Sequence, residues 1–300
     1  MVGADGPRSI FRASVSGSTA HDKLRFAGYV AWRGVVQESK LPSDLITLIR
    51  RDFPLFSNCL YFLLNPREGQ SAVLYDIGNG VVNWLVYQGC DCPRAQPGRT
   101  TATATQAEID ALRQQARCVW GDTFGQLIEC TPDAFQNDIY DIAVPMKTFA
   151  SGKICILGDA AHPVTPHAVK GSNLTIQDAF VLASVAQHAN SVDEMLAEYS
   201  RVRVEECNRT LLLSRHLGRV LNNMPDDMEN RAFFAQAHGP SSHSGSNFEQ
   251  LVLAAGLSPA ALPIGESQRF FGDVWRFMED SLPADQRGFA LRDGLQMQDW

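Results

Sequence analysis

The 300 residues contain no G-x-G-x-x-G, no Cys-x-x-Cys pair and no apolar run of membrane-spanning length. The first absence excludes the glycine-rich turn and helix start that commonly hold a dinucleotide pyrophosphate. The second removes the usual zinc spacing: the seven cysteines are scattered, and Cys90 and Cys92 stand too close for the common pair. They read as reduced thiols of a cytoplasmic protein. The third excludes a helical span, and the N-terminus has no signal-peptide pattern. Positive charge is also short, since a formal net charge of -7 argues against nucleic acid as a partner. His162 and His167 resemble metal ligands, but nothing near them in sequence completes a set, so no metal site is expected.

What is present is enough apolar content, 45%, to bury a substantial core divided between two domains. The most informative stretch runs from Ile154-Cys155-Ile156-Leu157 through Gly158-Asp159-Ala160-Ala161-His162-Pro163 to Lys170-Gly171-Ser172-Asn173 and Asp178. Residues 154–157 form a short continuous apolar run, as in a strand buried on both faces. Gly158 permits a close backbone approach, and Asp159 places an acceptor at the strand's end, where open α/β sheets bind ligands. Pro163 and Pro166 stiffen the loop, Ser172 and Asn173 are N-cap candidates, and a helix is predicted to begin near Asn173. Its free amides would suit an electron-rich carbonyl or an anion. By itself this is also the pattern of an ordinary strand, turn and capped helix.

Residues 158–178 resemble the second FAD-binding motif of the class A flavoprotein aromatic monooxygenases, the para-hydroxybenzoate, salicylate and 2,6-dihydroxypyridine hydroxylase group. That pattern reads G-D-A-A-H, then P, then G-x-N, then D. The resemblance implies that Asp159 holds the sugar chain of FAD, with Gly158 also at the cofactor and Pro166, Gly171, Ser172 and Asn173 beside the flavin ring. Ala168 stands where the group commonly has glycine, which asks for a less strained turn. The N-terminal Gly3-Ala4-Asp5-Gly6-Pro7-Arg8-Ser9-Ile10-Phe11-Arg12 is similar to the group's G-A-D-G-x-x-S-x-x-R motif and implies cofactor contacts for Asp5 and Gly6. Alone, Asp-Gly is also a common turn pair. Phe26-Ala27-Gly28-Tyr29-Val30-Ala31-Trp32-Arg33-Gly34 is similar to a strand of the salicylate and dihydroxypyridine branch. It makes Tyr29 and Arg33 substrate-binding candidates, although Arg33 could equally form an ordinary ion pair and Tyr29 could be core.

Three apolar runs at 59–64, 71–77 and 81–87, separated by Gly- and Asn-containing turns, predict an antiparallel meander. A helix is predicted over 106–120, a return strand over 138–144 feeding the strand at 154, and helices over 173–188 and 192–221. Further helices are predicted over 228–238, 248–255 and 268–281, with 238–247 a Gly-, Ser- and His-rich loop. With the resemblance, the fold class is α/β of mixed α+β character. It is the remainder of a FAD-binding Rossmann-like domain with an inserted antiparallel-sheet substrate domain and a helical C-terminal region. The boundaries are 1–20 and 146–225 for the FAD segments, 21–145 for the substrate domain and 226–300 for the helical region.

The group's members begin with a βαβ unit carrying G-x-G-x-x-G, so the resemblance, over roughly residues 1–225, implies an N-terminally truncated form. A truncated gene model, a degenerate fragment and a split protein all fit. The implied activity is FAD-dependent hydroxylation of an aromatic or hydroxypyridine ring with NAD(P)H as reductant and molecular oxygen as co-substrate. His167 is the proton-transfer candidate because imidazole titrates near neutral pH. A catalytically silent fragment that associates with a partner or substrate is the alternative. The implied macromolecular partners are a second copy in a homodimer or a complementing N-terminal half.

Overall fold

The computed structural model describes residues 1–17, 24–65, 68–222 and 224. Residues Met1–Pro225 form one compact unit, and a second, Asp226–Trp300, lies outside the described residues. So do the helices and loop expected there.

Among the described residues, the larger of two sheets has six antiparallel strands in the order β3-β4-β5-β2-β7-β6. They are β2 (Leu24–Gln37), β3 (Tyr61–Asn65), β4 (Gln70–Asp76), β5 (Val81–Gly89), β6 (Thr101–Ala102) and β7 (Phe135–Ile142). Asp76 and the Gly78-Asn79-Gly80 turn close the β4–β5 hairpin, where all three turn residues take positive φ and the Asp76 side chain accepts from the Gly78 amide at 2.6 Å.

The period-2 alternation of the strands divides the apolar residues between the two faces. Trp32, Val36, Leu74, Trp84 and Val86 pack with Leu45 and Ile49 of helix α2 (Ser43–Asp52) and Phe124, Leu127 and Ile128 of helix α3 (Gln106–Cys130). Each such buried side chain contributes about 1.5–3 kcal/mol. Gly34 makes this packing possible, because a Cβ there would lie 2.3 Å from the Trp84 ring. Tyr29, Ala31, Val73, Leu85 and Tyr87 form a separate cluster on the opposite face.

The smaller sheet has the order β1-β9-β8, from β1 (Val2–Gly3), β8 (Ala150–Ser151) and β9 (Ile154–Ile156). Strands β1 and β9 are parallel, with Val2 opposite Cys155 and Gly3 opposite Ile156. Helices α1 (Arg12–Ser16), α4 (Gly171–Ala186) and α5 (Val192–Leu221) belong to the same region, and Val15, Leu174, Leu196, Tyr199 and Leu211 share its core.

Three expectations need adjustment. Strand β7 covers 135–142 and pairs with β2 and β6 in the large sheet rather than feeding β9 directly. Helix α3 does not stop at Trp120: a capping box between Thr105 and Glu108 starts it, and it continues to Cys130 across a break at Gly121 (φ 78°, ψ 175°). After the break the chain folds back so closely that a Cβ on Gly125 would lie 2.7 Å from the Arg117 backbone. Finally, α4 begins at Gly171, two residues before Asn173, with Lys170 as its N-cap and no side-chain cap. Ser172 and Asn173 therefore lie inside the first turn. Among the described residues, no helix is long and apolar enough to cross a membrane.

Candidate functional site

The parallel pair β1 and β9 delivers two turns to the same end of the small sheet. After β1, Gly6 takes φ 81° and accepts from the Ser9 amide at 3.0 Å, while the Asp5 carboxylate accepts from the Ile10 amide at 2.8 Å. After β9, Gly158 takes φ 60° and opens a single 3₁₀ turn, Gly158–Ala160. Arg12, fully buried, ties the turns together. Its Nε donates to the Ala160 carbonyl at 2.8 Å, and its Nη2 donates to the carbonyls of Pro7 and Asp159 at 2.8 and 2.9 Å.

Those bonds occupy the backbone of Asp159 and leave its side chain exposed, with no hydrogen-bond partner among the described residues. A free carboxylate at the end of a buried parallel strand is an acceptor for ligand hydroxyl groups.

Behind the turn, Asp178 of α4 fixes Gly158. One carboxylate oxygen accepts from the Gly158 amide at 2.8 Å and meets His162 Nε2 at 2.6 Å, while the other accepts from Arg203 Nε of α5 at 2.7 Å. Burial alone would raise this carboxyl, but the His162 hydrogen bond and charge, with the Gly158 and Arg203 bonds, hold it below the usual range. Cys207 completes a His-Asp-Cys group whose ligand atoms lie within 4.8 Å of one another. The arrangement does not suit a cation. Arg203 already neutralises Asp178, and burial pushes the Cys207 thiol well above its ordinary value.

The loop between β9 and α4 is held from α5. Ser214 Oγ meets Thr165 Oγ1 at 2.8 Å, donates to the Thr165 carbonyl and accepts from the Ala168 amide at 3.1 Å. Pro166–Ala168 forms a 3₁₀ turn, and Val169 follows at φ 53° with 71% of its surface exposed. A β-branched residue in this region is strained, a cost of order 1–3 kcal/mol that concentrates at functional loops. The less strained turn expected from Ala168 is not found, since Val169 next to it takes the left-handed conformation. Beyond it lie the uncapped first-turn amides of α4, on Gly171, Ser172 and Asn173.

His167 points from this loop to the large sheet. Its Nδ1 lies 3.2 Å from the Tyr29 hydroxyl, and its ring centroid is 4.6 Å from that of Tyr87. Burial lowers its titration to about 3, so at neutral pH it is an uncharged imidazole. The expectation of titration near neutrality fails, because that holds for a hydrated ring and this one is 8% exposed. Its Nε2 is buried without a partner. Burial raises the hydroxyls of Tyr29 and Tyr87, the latter to about 12. The structure therefore brings Tyr29 and His167 together. Arg33 acts electrostatically on Tyr87, and its Nε is buried without a hydrogen bond.

Gly218 of α5 makes room for this pair, since a Cβ there would lie 2.3 Å from the Tyr29 oxygen and 3.0 Å from His167 Nδ1. Gly218→Ala is expected to separate the two rings at a cost of about 1–3 kcal/mol, measured as a lower denaturation midpoint.

The sequence did not reveal the roles of Arg203, Ser214, Gly218 or Tyr87. One signal was available: Leu196, Tyr199, Arg203, Cys207, Leu211 and Ser214 recur at helical spacing, which puts an arginine on the buried stripe of α5.

A parallel strand pair ending in two glycine turns, beside an antiparallel sheet, defines an α/β cofactor-binding architecture with an inserted sheet. Comparison with known proteins specifies it. Residues 129–211 match the FAD binding domain family model. The chain is 31% identical over 227 residues to the aurachin C monooxygenase/isomerase of Stigmatella aurantiaca, covering 73% of this chain and 51% of that protein. Its fold is similar to 2,6-dihydroxypyridine-3-hydroxylase from Arthrobacter nicotinovorans (TM-score 0.60, 20% identity, 82% of this chain and 63% of that one). It is also similar to Klebsiella pneumoniae HpxO complexed with FAD and uric acid (TM-score 0.57, 22% identity, 86% and 60%). The chain is thus similar to FAD-dependent monooxygenases of aromatic and heterocyclic rings, and residues 129–211 carry the FAD binding domain match. It spans about half the length of the curated relatives it matches.

Proposed function

We propose that these residues form the flavin-ring and substrate portion of a cytoplasmic, FAD-dependent and NAD(P)H-using monooxygenase that hydroxylates an electron-rich aromatic or hydroxypyridine-type ring. The observation that carries this reading is the free Asp159 carboxylate beside the Asp5-Gly6 turn and ahead of the uncapped α4 amides. The donor set fits a flavin nucleotide. A carboxylate suits a sugar hydroxyl, backbone amides at a helix start suit an electron-rich carbonyl, and a Cβ on Gly6 would meet nothing within 4 Å.

In this reading segments 1–20 and 146–225 hold the cofactor around the inserted sheet of 21–145. Asp159 binds the sugar chain with Gly158 as its turn, and Asp5 and Gly6 lie toward the pyrophosphate. Pro166, Gly171, Ser172 and Asn173 flank the ring. When bound, FAD supplies hydride acceptance from NAD(P)H and oxygen activation. The chain's own residues position the aromatic ring and exclude water. The tyrosine-bearing face of the large sheet supplies the apolar wall. Tyr29 and neutral His167 form a hydrogen-bonded pair that can move a proton at the substrate's hydroxyl, and Arg33 is placed to favour an anionic or phenolate ring.

A complementing N-terminal half with a glycine-rich turn would hold the pyrophosphate. Its docking is supported by exposed apolar side chains on β1 and α4: Val2 (51%), Ile176 (68%) and Phe180 (70%). Ile176 and Phe180 share one helix face. In protein carrying that half, Asp159→Ala is expected to weaken FAD retention by about 10-fold or more, measured as flavin absorbance kept through gel filtration. Retention equal to the parent protein would sink the assignment. So would the absence of ring-dependent NAD(P)H oxidation in flavin-loaded protein.

A further inference from the structure

The large sheet borders a cavity on the face turned away from Tyr29 and His167. It lies between the sheet and α3, has a volume of about 240 Å³, and takes part of its wall from Trp32 and Trp120. Alternation along β2 keeps it apart from the flavin side: Val30 and Trp32 face it, while Tyr29 and Ala31 pack in the opposite cluster.

Its polar lining is built of amides. Gln136 of β7 is 5% exposed, and its side chain makes no hydrogen bond among the described residues although it lines the cavity. Its amide oxygen and nitrogen open onto the cavity rather than being sealed from it, which leaves a donor and acceptor pair available to a ligand. Gln88 of β5 lies on the same face, across β2 from Gln136. Its Oε1 accepts from Trp32 Nε1 at 3.2 Å, and its NH₂ group remains available. Gln115, on the exposed side of α3, adds a third amide, with no hydrogen bond among the described residues.

The charged lining residues are Arg94 and Glu108, 3.9 Å apart, and Glu108 is further engaged in capping α3. The site therefore offers aromatic surface and neutral hydrogen-bonding groups without a free charge. A cavity of about 150 Å³ holds one benzene ring, so this one suits a single ring with a polar substituent and falls below the volume of a drug-sized ligand. We propose that this cavity binds a neutral, single-ring aromatic molecule carrying an amide or hydroxyl group, separately from the flavin-side site.

Nicotinamide is the probe, with benzoate as the charged comparison, titrated into the full chain and followed by ligand-observed NMR and by the Trp indole N–H resonances. Saturable nicotinamide binding is expected with a dissociation constant of about a millimolar, as suits so small a ligand. Gln136→Leu should weaken it at least 10-fold, and Ala111→Phe should block the cavity from the exposed side of α3. If Gln136→Leu does not fold, Ala111→Phe decides alone. The proposal is overturned by absence of saturable binding, by binding that survives Ala111→Phe, or by benzoate binding as tightly as nicotinamide. Loss of binding in Tyr29→Phe, with retention in Ala111→Phe, would place the ligand on the flavin side instead.

Discussion

Replacing Arg203 by leucine is expected to destabilise the fold by about 3–5 kcal/mol, because it leaves the Asp178 carboxylate buried without its cation. For a unit of this size that is a fall of roughly 10 °C or more in Tm. Both side chains are almost wholly buried, and Asp178 also anchors the Gly158 amide and His162. The loss should therefore spread from α5 to the cofactor turn. The double variant Asp178→Asn with Arg203→Leu should recover a substantial part of it, since no charge is then left unpaired. A single-variant loss under about 1 kcal/mol would show the pair to be solvated.

The pH dependence of this pair has a definite sign. Asp178 has a depressed carboxyl in the folded state, so its stabilisation is present above the unfolded carboxylate value. It is lost as pH falls through the lower, folded value.

His167 should produce the second large effect, at a different pH. Its folded value is about 3 against an ordinary value near 6.5, so between them the unfolded chain binds the extra proton. Stability should fall as pH drops from about 6.5 toward 3, by about 3 kcal/mol already at pH 4. His167→Phe keeps a ring against Tyr87 but cannot protonate. At pH 7 it should cost about 1–3 kcal/mol through the unsatisfied Tyr29 hydroxyl. At pH 4 it should equal or exceed the parent protein. Urea denaturation midpoints at the two pH values test this, and parallel pH profiles for variant and parent would refute a buried neutral imidazole. The same neutrality matters for the proposed activity, because His167 can relay a proton only in concert with Tyr29 or a ligand at its vacant Nε2.

The comparison of sequence with fold follows the range of the interactions concerned. The Gly158-Asp159 and Asp5-Gly6 turns, the 81–87 strand and the 192–221 helix were legible because each rests on neighbouring residues: an apolar run, a positive-φ glycine, a period of 2 or 3.6. The resemblance to FAD-dependent monooxygenases was legible for the same reason, since its motifs are contiguous. The break in α3 was not, because Gly121 interrupts the backbone while apolar side chains continue on both sides of it.

Only the tertiary structure decided which chemistry those motifs carry. Arg12 reaches the Asp159 and Ala160 carbonyls across 147 and 148 residues, and Arg203 reaches Asp178 across 25. No local spacing encodes either bond. Burial then changed the character of the groups involved: it turned His167 from a near-neutral titrating residue into an uncharged partner of Tyr29, and it left Gln136 with an unused amide on the far side of the sheet. Sequence determined where the backbone turns and which residues are apolar, both local properties. Solvation and partnership depend on which distant segments exclude water from a side chain, so the fold alone determined them.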